Sequence, residues 1–413
     1  MMRVPRTRSG IGLVLAIGVG LGVSWLAAGE AAEPGVGTAA GPAETPRAVN
    51  APGERRPPRT HFRFEKTGVL IRRPERMPEP GPYYPTLVRM QEVQGFPHDY
   101  ALYFSTDHDA GEGGIWLYVC SGSPTAAANW KSYDRALADG DFDYLAQKPA
   151  RNPVFVDTTQ GRQTETPHGN VIDRTVYMTY HNCGAGHSQS TLLATSPDGV
   201  NFTRIHGMAD SVILDYDPNE DVGNGHTGYF RWRANPFTGL SSKYVGYSLH
   251  GGGDDFHSAL WASSDAVRWR KLAVFDAVEG YAVAEKDRIV RRHGIDPNSI
   301  TSLGGGEYVA IGAVGNRSSG GRARTLELYE IYLAADGRTL TRRSRRILGN
   351  GPPGSHDEEE LGSPATVVVG DVWHLIYVGT SKRASVNTIM GASGRFDASA
   401  PKSERLTPPR PAG

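Results

Sequence analysis

Short apolar and aromatic runs recur along the chain from about residue 61 to residue 401, each bounded by clusters of Gly, Pro, Asn, Asp and Ser. Runs of this kind between turn residues predict β-strands rather than helices. They fall into five groups of similar order: 85–90, 100–105 and 114–120; 169–172, 175–180 and 190–196; 227–232, 243–249 and 258–263; 297–302, 308–313 and 326–333; and 363–369, 373–378 and 387–392. Two groups end on matching turns, Ser196-Pro197-Asp198-Gly199-Val200-Asn201-Phe202 and Ser263-Ser264-Asp265-Ala266-Val267-Arg268-Trp269, whose starts lie 263 − 196 = 67 residues apart. Ser123-Pro124 followed by Trp130 is a shorter echo. Self-similarity at a fixed period means a repeat architecture. Five units of four strands predict an all-β, single-domain, five-bladed β-propeller, which leaves few long exposed sheet edges. A β-sandwich would not require the repeated turn. In that turn the Asp side chain bonds nearby backbone N–H groups and the aromatic fills the gap between sheets, so Asp198 and Asp265 are expected to be structural.

The segment before residue 61 has no such pattern. A short basic stretch, an apolar Gly-broken run over 11–27 and small residues at 28–31 predict a signal peptide over 1–31, with a retained membrane anchor as the alternative. Residues 32–60 and 402–413 carry Pro, Gly and charge without periodicity and read as a disordered linker and tail around a folded region over 61–401. The expected location is therefore secreted or periplasmic.

Charge narrows the partners. With 44 basic and 44 acidic side chains, no net field favours nucleic acid or an anionic membrane. The basic run over 342–346 reads as a solvated strand face. The two cysteines, Cys120 and Cys183, are free to pair or not, and neither sits in a setting for thiol chemistry.

The two matching turns, the Glu165-Thr166-Pro167-His168 entry into one group and Glu360-Leu361-Gly362-Ser363-Pro364-Ala365 entering the last resemble the five-bladed propeller superfamily of glycoside hydrolases, which includes arabinanases, β-xylosidases, invertases and levansucrases. The resemblance implies a carbohydrate substrate in a central cleft and acid/base catalysis by carboxylates. In that superfamily an aspartate stands at the start of the first inner strand. This chain has Tyr83-Tyr84-Pro85-Thr86 there instead, and it lacks the Asn-Asp-Pro opening of the invertases.

Propeller topology puts the start of each inner strand and the loop after each second strand on one face. The candidates there are Tyr83 and Tyr84; His108; Glu165, His168 and His181; Asn224 and His226; His250; Arg292, His293 and Asp296; and Glu360. A single His in such a place is often satisfied by a backbone carbonyl. His168, His226 and His293, however, enter three different inner strands about one unit apart, and converging polar groups are the usual mark of a pocket. Substrate-binding roles are accordingly assigned to Tyr84, His108, His168, His181, Asn224, His226, His250, Arg292 and His293. A divalent cation near the axis is a further option, with its ligands unassigned. Glycoside hydrolysis needs one carboxyl to protonate the leaving oxygen and a second to activate water or attack carbon. Glu165 and Glu360, entering non-adjacent units, are the candidate pair, with Asp296 orienting or tuning them. Trp116 and Trp232 read as core. Three other functions remain open: a polysaccharide lyase using a Tyr or His base, a glycan-binding propeller without chemistry, and a sialidase, for which the arginines are few.

Overall fold

The computed structural model describes residues 59–106, 113–157, 164–183, 189–205, 211–215, 227–252, 255–275, 292–317, 324–381 and 386–406. Residues 1–58, which include the expected signal peptide and nearly all of the expected linker, and His108, Asn224 and His226 lie outside the described residues. No helix among the described residues is long and apolar enough to cross a membrane.

The chain enters on β1 (Phe62–Ile71). The first sheet follows as an antiparallel meander of β2 (Pro82–Arg89), β3 (Tyr100–Thr106), β4 (Trp116–Cys120) and β5 (Trp130–Ser132), and a short helix, α1 (Tyr133–Ala138), leaves it. Ser132 starts that helix by accepting the Arg135 N–H at 3.2 Å, as an N-cap serine does. The second sheet holds β6 (Thr164–Ile172), β7 (Thr175–Cys183) and β8 (Gln189–Ser196), with β9 (Thr203–Arg204) and β10 (Val212–Leu214) both on β8. The third is β11 (Arg231–Ala234), β12 (Tyr244–Gly252), β13 (Asp255–Ser263) and β14 (Trp269–Phe275). The remaining strands form one eight-stranded sheet from β15 (Arg292–Gly304), β16 (Glu307–Arg317), β17 (Arg324–Ala334), β18 (Leu340–Leu348), β19 (Glu360–Val369), β20 (Val372–Ser381), β21 (Val386–Phe396) and β1. Within it, two antiparallel meanders meet at a single parallel pair, Leu326↔Glu360.

The strand order follows the expected groups, with one addition. The last group shows three strands in the sequence pattern. Its fourth is β1, paired antiparallel to β21 from Phe62↔Phe396 to Ile71↔Ile389. A buried carboxylate fastens this strand: Glu330 accepts the Phe62 N–H at 2.8 Å and the Tyr332 hydroxyl at 2.7 Å, while Arg345 reaches it at 3.2 Å. Gly394 is required for the approach, since an added Cβ would sit 1.8 Å from the Arg63 carbonyl oxygen.

The repeated turns do what their side chains suggest. Asp198 Oδ1 accepts from Val200 N and Asn201 N, both at 2.8 Å, and Asp265 Oδ1 accepts from Val267 N and Arg268 N at 2.9 and 2.7 Å. Phe202 then meets Tyr103 of the first sheet edge-on, while Trp269 packs on Phe230 and Trp232 in a cluster that also takes Leu193 and Ile213 of the second sheet. Trp116 and Trp232 are core, as expected.

Two readings change. The basic stretch on β18 is not simply solvated: Arg342 pairs with Glu307 of β16, and Arg345 with Glu330 and Arg346 with Glu327 of the neighbouring β17. Cys120 is a buried free thiol whose pKa burial pushes up to about 12, so it is neither bridged nor reactive.

Candidate active site

The inner strands share a distortion that positions the site. Pairing slips between Tyr83 and Thr86 on β2, between Glu165 and His168 on β6, and between Gly362 and Ala365 on β19. At each slip a residue in the left-handed region precedes a proline: Tyr84 (φ 50°) before Pro85, Thr166 (φ 49°) before Pro167, and Ser363 (φ 50°) before Pro364. Tyr229 (φ 56°) holds the matching place just ahead of β11. Proline has no N–H to give the ladder, so the strand bulges there. A positive φ at a non-Gly residue costs on the order of 1–3 kcal/mol and persists where the surroundings over-determine it. What the distortion achieves is common to all four: Tyr84, Thr166, Tyr229 and Ser363 line a single cavity, together with Tyr83, Arg231 and residues of β12 and β15.

Its floor carries charge. Arg231 is half-buried and donates to the carbonyl oxygens of Pro364 and Pro85, the latter at 3.2 Å, and so ties the third sheet to the first and last inner strands. Asp296 is near enough for its charge and that of Arg231 to act on each other, without a direct ion pair. Burial pushes the Asp296 carboxyl up, and the Arg231 charge, the Thr366 hydroxyl at 2.6 Å and the Asn298 N–H at 3.1 Å act against that. Asp296 is thus held in the frame, facing Arg231 and Thr366.

One wall carries a hydrogen-bonded row. The Tyr84 hydroxyl donates to that of Tyr229 at 2.6 Å, and the Tyr229 ring meets His181 edge-on at 5.3 Å. His181 Nε2 lies 2.6 Å from Glu165 Oε1, and its Nδ1 lies 2.6 Å from Thr166 Oγ1. Glu165 and His181 are each almost wholly buried. Tyr84, Tyr229 and Thr166 line the cavity, whereas Glu165 and His181 are not among its lining residues.

The structure therefore brings together Tyr84, Glu165, His181 and, below them, Asp296. Glu360 opens β19 and is mostly buried, and His250 is buried on β12. Arg292 and His293 open β15, and only their backbone is described. His168 does not join the site. Its Nε2 donates to the Trp232 carbonyl at 2.7 Å, its Nδ1 faces the Thr86 hydroxyl at 3.4 Å, and burial pulls its pKa down to about 3. It is a neutral tie between three inner strands, because the bulge at Thr166 breaks the alternation that would have aimed it inward. Among the described residues, no three His, Cys, Asp or Glu side chains converge to hold a metal ion.

Thr166, Tyr229, Arg231 and Ser363 do not stand out in the sequence as site residues. The recurring x-Pro in Tyr84-Pro85, Thr166-Pro167 and Ser363-Pro364 at corresponding strand starts is the signal that could have marked three of these bulges.

No family model and no curated protein matches the chain. Solved structures do. One, of BT0996 in an RGII complex, is 12% identical with a TM-score of 0.54, covering 84% of this chain and 95% of that one. A "Glycoside hydrolase" is 10% identical with a TM-score of 0.52, covering 84% and 95%. An N-acetylgalactosamine deacetylase from F. plautii, in complex with blood group B trisaccharide, is 12% identical with a TM-score of 0.53, covering 82% and 97%. The likeness is one of fold. This chain has the nearly all-β, multi-sheet architecture of propeller-fold proteins.

Proposed function

We propose that the chain is an exported five-bladed propeller that binds a carbohydrate in the central cavity and cleaves it as a glycoside hydrolase. The five-blade count is supported by the eight-stranded sheet, which divides at the single Leu326↔Glu360 pair into two four-stranded meanders, the last completed by β1. The observation that carries the functional reading is the delivery of side chains from three inner-strand bulges, and from the positive-φ Tyr229 ahead of β11, into one cavity, backed by the buried Glu165–His181 pair. Tyr83, Tyr84 and Tyr229 offer ring faces and hydroxyls, which suits a sugar. The names of the neighbouring structures, with a glycoside hydrolase and a deacetylase bound to a trisaccharide among them, point the same way. Glu165 and Glu360, at the starts of non-adjacent inner strands, are the acid/base pair, with Asp296 orienting or tuning them.

One observation favours a second reading. Among the described residues lining the cavity there is no carboxylate, whereas two tyrosine hydroxyls stand 2.6 Å apart in it. A phenol can abstract a proton beside a uronate carboxylate, the chemistry of a lyase.

Incubation of the purified protein with a polysaccharide panel, following reducing ends and the absorbance of unsaturated products, separates these. Reducing ends without unsaturation, lost at least about a hundredfold in Glu165→Gln and Glu360→Gln, support the hydrolase. Unsaturated products that survive both changes but vanish in Tyr84→Phe select the lyase. Binding without any product would make the chain a glycan-binding propeller.

A further inference from the structure

Thr166 belongs to a second kind of chemistry. Its hydroxyl, His181 and Glu165 form an unbroken nucleophile–imidazole–carboxylate row with both links at 2.6 Å, and Thr166 lines the cavity. With Glu165 ionised, its pull holds a proton on His181 Nε2 and leaves Nδ1 to accept from Thr166. That is the arrangement by which an imidazole activates a hydroxyl for attack, and it is recognised by geometry and roles rather than by fold. Thr166 is a β-branched residue at positive φ, so its side chain is held where the bulge puts it. Arg231, Tyr84 and Tyr229 line the same cavity, and their guanidinium and hydroxyl groups are the candidate donors for an oxyanion.

Such connectivity alone is insufficient. On the outer part of the first sheet, His98 Nδ1 lies 2.9 Å from Ser121 Oγ and its Nε2 lies 2.9 Å from Asp141 Oδ2, but Ser121 stands exposed on the surface. What distinguishes the inner row is the cavity.

We propose that the cavity hydrolyses small acyl esters, of the kind carried as O-acyl groups on sugars, with Thr166 as the nucleophile. Thr166 Oγ attacks the ester carbonyl and passes its proton to His181 Nδ1. The C–O bond to the sugar breaks, and the sugar oxygen leaves with that proton. Water then attacks the acyl-threonine, its proton again taken by His181, and the carboxylic acid is released as Thr166 regains its hydrogen. Glu165 keeps the imidazole oriented and stabilises its charged form. This inference shares the cavity of the preceding section without depending on glycosidic cleavage.

The test uses the purified protein with p-nitrophenyl acetate and a peracetylated monosaccharide, measuring nitrophenol and acetate and searching the quenched protein for acetyl on the Thr166 peptide. Thr166→Val keeps the β-branch and removes only the hydroxyl. It is expected to lose ester turnover at least about a hundredfold, as are His181→Gln and Glu165→Gln, whereas Thr166→Ser retains it and His98→Gln leaves it unchanged. Thermal melting of each variant guards against misfolding. Wild-type protein with no turnover above buffer, Thr166→Val as active as wild type, or acetyl trapped elsewhere would each overturn the proposal. Polysaccharide cleavage is followed in the same preparations. Ester turnover without glycosidic products discards only the hydrolase reading, and the reverse discards only this one.

Discussion

His168 offers a test of the frame that is independent of substrate. Its folded pKa is about 3 against an ordinary value of 6.5, and the leading cause is burial, aided by the Arg231 charge. The folded pKa is depressed, so below pH 6.5 the unfolded chain takes up a proton that the native site refuses. The stabilisation is fully present above pH 6.5 and is lost as pH falls from 6.5 towards 3, by about 1.4 kcal/mol per pH unit. Between pH 7.5 and pH 5 this one group should remove about 2 kcal/mol. His168→Gln retains a donor for the Trp232 carbonyl but does not titrate, so its stability should fall less steeply than that of wild type as pH drops below 6.5. Urea unfolding at half-unit pH steps measures the two slopes. His374, whose pKa burial also lowers, contributes equally to both proteins and cancels in the difference. Parallel stability–pH curves for wild type and variant would refute the neutral-tie assignment. So would a His168→Gln variant with native stability and no ligand binding, which would return His168 to the site.

Asp198→Ala and Asp265→Ala each remove the acceptor of two backbone N–H groups and should cost about 1–3 kcal/mol in urea unfolding while leaving turnover of the folded protein unchanged. Gly394→Ala forces a methyl onto the Arg63 carbonyl, so amides of β1 should lose hydrogen-exchange protection before those of β12, and equal protection in both would argue against the clash. Asp296 and Arg231 act on each other through space, so a double-mutant cycle of Asp296→Asn and Arg231→Met should show a coupling of about 1 kcal/mol, and strict additivity would mean the two do not interact.

Local information determined a good deal of this protein. Short apolar and aromatic runs bounded by turn residues, with Asp-containing turns between them, specify strands and their order, because strand propensity and Asx turns depend on residues within a few positions of one another. The same short-range logic made Asp198 and Asp265 structural and placed Tyr84, Glu165 and Asp296 at inner-strand starts. Pairing across the whole chain was beyond its reach. Phe62 meets Phe396 because the last meander lacks an edge partner, and a half-exposed strand such as β1 carries no local mark of a partner more than three hundred residues away. The aim of individual side chains was equally hidden. A regular strand would put Thr166 and His168 on the same face, but a register slip of one residue reverses the face that follows it. The fold thus turned His168 into a neutral tie between sheets and made Thr166, inconspicuous in the sequence, the cavity end of the Glu165–His181 pair.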